Sequence, residues 1–100
     1  MANATSITCE KVMDTMNGWM MFSLKSTLTN GETVPIPSSG DGSWISASTK
    51  VMVLETNNLS DGKSGGVCSV VYDDSSKTFT VTDAGASDDD VRILFLARNE

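Results

Sequence analysis

Three groupings of residues in this chain have the types that could do chemistry. Gly62-Lys63-Ser64 follows the apolar run VMVLE and has the closing residues of a phosphate-binding loop. That loop needs a glycine five positions before Gly62, where Asn57 stands. It also needs a helix whose N-terminus holds the phosphate, whereas Gly65-Gly66 and a β-branched run follow. The segment reads as a turn. Asp88-Asp89-Asp90 with Asp83, and separately Asp73-Asp74, could offer oxygens to a hard cation. Neither has the EF-hand order of acids, glycine and distal Glu. They read as solvated loop charges that also guard the flanking strands against aggregation.

Nucleophilic catalysis needs a Ser, Thr or Cys beside a positioned base. The chain has no His and no recognisable Ser–Lys signature. Its acids sit mostly in turn-like stretches, where paired carboxylates have little cleft to work in. Cys9 and Cys68 are the two thiols. With no CxxC and no His, a metal site is not expected. Both are expected buried and reduced, and a bridge would need neighbouring strands of suitable geometry. The expectation is a protein that is not an enzyme, with no cofactor and no small-molecule substrate.

The elements that would position these residues are strands. Gly66 to Asp83, GVCSVVYDDSSKTFTVTD, is the clearest hairpin, with Asp73 to Lys77 as its turn. A period of two puts Phe79 and Val81 on one face and Thr78, Thr80 and Thr82 on the other. Ala4 to Met16 alternates like a strand. A short helix capped by Thr8 and closed by Gly18 is the competing reading, and the strand is preferred. Asn17-Gly18 is the strongest two-residue hairpin signal. Trp19 to Leu28 is expected to be buried on both sides in its first half. Thr29 to Glu32 is a turn.

Two prolines place Thr33 to Pro37 on a sheet edge or in an extended arm, residues 33–43, running into a flexible SSGDGS loop. Lys50 to Thr56 reads as a central strand, apolar on both faces. Asn57 to Gly65 is a long loop. Val91 to Arg98 is a closing strand, apolar on both faces, that ties down the C-terminus.

Six to seven strands with turns every eight to twelve residues predict a single all-β domain over residues 1–100. Its form would be an antiparallel β-sandwich or a small barrel, with residues 1–5 as an N-terminal arm. One hundred residues that are 39% hydrophobic can build one core. Thirteen acidic residues against seven basic ones, a net charge of −6, disfavour nucleic acid and anionic membranes. No apolar run has the length of a membrane span. The opening MANATSITCEK lacks the basic and apolar regions of a secretory signal, which implies synthesis in a cytosol.

Residues 67–99, VCSVVYDDSSKTFTVTDAGASDDDVRILFLARN, resemble in layout the small β-rich virion proteins of tailed bacteriophages, the head decoration or cement proteins. The shared style is a strand ending in a Tyr-Asp turn, a Thr-rich strand, a polar link and a closing apolar strand. ITCEKV, a Gly turn and an amphipathic second strand extend it toward the N-terminus. The acidic AGASDDD link and the paired prolines depart from the pattern.

The resemblance implies a virion structural protein made in the bacterial cytoplasm. It would bind the major capsid protein on the outer capsid surface and stabilise the shell, as a homo-oligomer with a trimer favoured. The alternative is a β-module of a phage tail or fibre that binds carbohydrate or another protein. Candidate contacts are Ala2 and Asn3, then Val34, Pro35, Ile36 and Pro37 in the arm, Trp44 beside the loop, and Leu59 and Lys63. Trp44 is the first candidate for an intersubunit anchor, since tryptophan is enriched at interface centres.

Overall fold

The computed structural model describes residues 3–46, 48–59, 66–82 and 89–99. The strands are β1 (Thr5–Asp14), β2 (Met20–Leu28), β3 (Thr33–Pro35), β4 (Lys50–Asn58), β5 (Gly66–Val67), β6 (Ser69–Asp73), β7 (Thr78–Thr82) and β8 (Asp89–Arg98). They form two antiparallel sheets, one ordered β1-β2-β8-β4-β5 and the other β3-β7-β6. The first is in substance four-stranded, extended by the two-residue β5. The sheets pack as an open β-sandwich, not a closed barrel.

Local chemistry sets the hairpins. Asn17 (φ 61°, ψ 33°) and Gly18 (φ 82°) both take the left-handed region, and Trp19 N–H donates to the Met16 carbonyl at 3.3 Å. This is the type I′ geometry that Asn-Gly favours, and the segment before it forms the strand Thr5–Asp14, not a helix. At the β6–β7 turn, Asp73 Oδ1 accepts from the Ser75 amide at 3.0 Å and its hydroxyl at 2.7 Å. Such an Asx-turn stands in for a backbone turn. Between β5 and β6 the chain changes sheets across Cys68 alone.

Alternation then builds the core. Phe22, Leu24 and Leu28 of β2 face Val91, Ile93, Phe95 and Ala97 of β8 within one sheet, and Val34, Phe79 and Val81 close from the other. Aromatic rings form a chain through it. Trp44 lies 5.8 Å from Phe22, Phe22 stacks 5.3 Å from Phe95, Phe95 lies 5.2 Å from Phe79, and Phe79 lies 4.8 Å from Tyr72. Full burial of such a side chain contributes roughly 1.5–3 kcal/mol. The C-terminus is tied down as expected, because Asn99 accepts from Thr49 Oγ1 and donates to the Trp44 carbonyl.

Several expectations are corrected. β8, between β2 and β4, is the central strand, while among the described residues β4 is met on its other side only from Thr56 to Asn58, by β5 and the Cys68 amide. β4 also runs through Asn57 and Asn58, which the sequence places in a loop. Asn58 is buried there because its amide donates to Asp89 Oδ2 at 2.9 Å. SSGDGS is not a flexible loop, since Gly40–Trp44 forms a 3-10 turn. That turn packs so closely that a Cβ on Gly42 would sit 2.3 Å from the Pro37 carbonyl oxygen.

Candidate protein-contact face

The outer side of the larger sheet has nothing of the described chain over it. Its composition follows from strand register. Met13 of β1 is opposite Met21 of β2, Met21 is opposite Leu96 of β8, and Leu96 is opposite Met52 of β4. Four apolar side chains therefore form one row across four strands. The next outward row is Glu10–Ser23–Leu94–Glu55, and the one after it is Thr8–Lys25–Arg92–Asn57. The face grades from apolar beside the Asn17-Gly18 turn to charged and polar at its other end.

Around the apolar row lie Val12, Met16 and Leu54, all exposed, with Met16 at 80%. Two bulges help present them. A register shift between Lys11 and Met13 adds Val12 to β1, and another between Val53 and Glu55 adds Leu54 to β4. Such bulges re-aim side chains at sheet edges. A hollow of about 310 Å³ lies between Met16, Trp19, Met52 and Leu96. Four of the six methionines, Met13, Met16, Met21 and Met52, belong to this surface. Thioether chains adapt to irregular partners, and a contiguous exposed apolar patch marks an interaction site.

The residues singled out from sequence do not gather into one patch. Val34 and Ile36 are core residues, with Ile36 N–H donating to the Lys77 carbonyl, so neither can serve as a contact. Pro35 and Pro37 are half-buried beside them. Residues 33–43 are thus a short edge strand and a packed turn, not a free arm. At the N-terminus, Asn3 bridges to Thr33 and accepts from its hydroxyl at 2.6 Å, and Ala4 is buried. From Asn3 onward the expected arm is therefore pinned to β3.

Trp44 is half-buried against Phe22, with Lys11, Asp41 and Ser43 around the same hollow of about 280 Å³. Asp41 Oδ2 accepts there from the Lys11 amide at 2.7 Å, which fastens the 3-10 turn over the β1 edge. Leu59 is exposed at the polar end of the outer face, near Lys25 and Asp90. Ala2 and Lys63 lie outside the described residues. The apolar row itself escaped the sequence because the first half of β2, together with β4 and β8, is apolar at both parities, which reads as burial on both faces. The methionine content was the available signal for a surface left open.

No disulfide joins Cys9 and Cys68. Burial, and then the charges of Asp41 and Glu10, push the Cys9 thiol up to about 11, so it is not a poised nucleophile. Among the described residues, no group of three or more Cys, Asp or Glu side chains could hold a metal ion. No described helix is long and apolar enough to cross a membrane. No family model, curated protein or solved structure matches the chain.

Proposed function

We propose that this protein is a non-catalytic virion component that adheres to the outer surface of a phage capsid and stabilises the shell. The observation that carries this reading is the open row Met13–Met21–Leu96–Met52 on a rigid sandwich. A four-strand sheet fixes the backbone from which these side chains project, so docking orders thioether rotamers but need not order the chain. Binding only to the assembled shell adds RT ln(1 + [L]/Kd) per copy, about 2.7 kcal/mol at a hundredfold excess over Kd. Repetition around a symmetric shell multiplies the effect through avidity. The net charge of −6 suits a partner surface that is neutral or basic.

The test is co-sedimentation with assembled capsids of the same phage, combined with calorimetry of the shells. The protein is expected to pellet with the shells and raise their melting temperature. Met13→Asp with Met16→Asp should abolish both effects while leaving the monomer folded. Pelleting unaffected by this pair would remove the apolar face from the reading.

A second reading, a carbohydrate-binding module of a tail or fibre, is favoured by Asp41 and Ser43 beside Trp44. Glycan-array binding lost in Trp44→Ala, with no affinity for capsids, would select it instead.

A further inference from the structure

The larger sheet has two edges, and they are finished differently. The β1 edge is capped at Lys11 by the Gly40–Trp44 turn, fastened through Asp41 to the Lys11 amide. Among the described residues, nothing pairs with the β4 edge from Lys50 to Glu55. That edge is bounded at one end by the turn in which Thr49 N–H donates to the Ser46 carbonyl, and at the other by Cys68 N–H donating to the Thr56 carbonyl. An open strand edge with Val51, Met52, Val53 and Leu54 on it is a template for another strand.

We propose that a second copy of this chain occupies this edge, with the two β4 strands pairing antiparallel about a two-fold axis at Met52. The register is self-complementary. Because Leu54 is bulged out, Glu55 takes the ladder place next to Val53, as its pairing with Leu94 shows. Centred on Met52, the pairing sets Met52 opposite Met52 of the other copy, Val51 opposite Val53, and Lys50 opposite Glu55, twice over. Facing parity agrees at every pair. Lys50 and Glu55 share the outer face with Arg98 and Leu94, while Val51 and Val53 pack against the core side.

Lysine on an edge strand usually discourages pairing, but here its opposite number is a carboxylate. Among the described residues neither Lys50 nor Glu55 is in an ion pair within the chain. Opposite charges directly across strands stabilise a sheet.

A two-fold axis normal to the sheet leaves both outer faces on the same side. The row Met13–Met21–Leu96–Met52 then continues into its copy and doubles the apolar surface. The pairing is independent of any capsid. It is two-fold, in place of the three-fold assembly that the phage resemblance implies. The contact is a short edge, so association should be weak and dependent on concentration.

Light scattering across a series from about 10 µM to about 1 mM should show the mass rising from 10.6 kDa toward twice that value. Lys50→Glu alone and Glu55→Lys alone should each weaken dimerisation about tenfold, with like charges now opposed, and the double reversal should restore it. Met52→Cys should form an intermolecular disulfide under mild oxidation, because directly opposed residues have Cα atoms about 4.5–5.5 Å apart, within disulfide reach. Leu54→Cys, far from its copy in this register, should not cross-link. Both positions are exposed, and circular dichroism of each variant checks the fold. A mass of 10.6 kDa throughout, a trimer, equal cross-linking at both positions, or a double reversal as weak as the single ones would overturn the proposal.

Discussion

The two faces of the larger sheet are made from the same strands and nearly the same residue types, yet they have different fates. On the inner face, Phe22, Leu24, Ile93 and Phe95 are sealed by the smaller sheet. On the outer face, Met21, Leu94, Leu96 and Met52 have no layer over them among the described residues. Branched and aromatic side chains with defined rotamers fill the inside, and flexible thioethers dominate the outside. Apolar character alone therefore does not mark the core. What marks it is whether a second sheet arrives.

Substitutions on the two faces should separate stability from adhesion. The largest effect is expected from Phe95→Ala, which removes the ring touching both Phe22 and Phe79. It should cost about 3–5 kcal/mol in denaturant unfolding. A change near that figure for an outer residue such as Leu94 would erase the distinction between the faces.

Gly42→Ala comes next. The added methyl would collide with the Pro37 carbonyl and the Ile36 side chain, and overpacking should cost about 1–3 kcal/mol by the same measurement.

Cys9, half-buried on the β1 margin, lies between the two regimes. Its thiol is raised to about 11 from an ordinary value of 9.0, first by burial and then by Asp41 and Glu10. Between those values the folded chain keeps a proton that the unfolded chain has lost. Stability is therefore fully present below about pH 9 and declines as pH rises through about 11. After discounting for solvent screening, the loss is on the order of 1 kcal/mol. Unfolding curves of Cys9→Ser measured over the same pH range should show a shallower decline than the parent protein.

The smallest effect on folding is expected for Met13→Ser with Met16→Ser, within about 0.5 kcal/mol of the parent. The same pair should nevertheless abolish capsid co-sedimentation. A large loss of stability here would mean that the outer face is part of the core.

Features set by neighbours in the chain were legible in the sequence. Asn17-Gly18 placed the first hairpin, Asp73 to Lys77 placed the last, and the alternation in Thr78 to Thr82 named Phe79 and Val81 as inward. Features set by distant packing were not. Val34 and Ile36, on either side of Pro35, look like an arm, and only the packing of β3 beside β7 and against the larger sheet makes them core. The glycines of SSGDGS suggest mobility, whereas Gly42 is small because Pro37 presses on it. Periodicity showed two apolar faces on β4 and β8 but could not say that one of them lacks a lid.

The clustering of four thioethers on one wall has a chemical consequence for the lifetime of the protein. Peroxide converts methionine to its sulfoxide, which is polar and chiral, and exposed sulfurs react first. Met13, Met16 and Met52 are each about half exposed or more, so oxidation would wet the sticky wall while sparing the sealed interior. An aged sample would then remain folded by every spectroscopic measure and yet have lost its grip, until a sulfoxide reductase returned it.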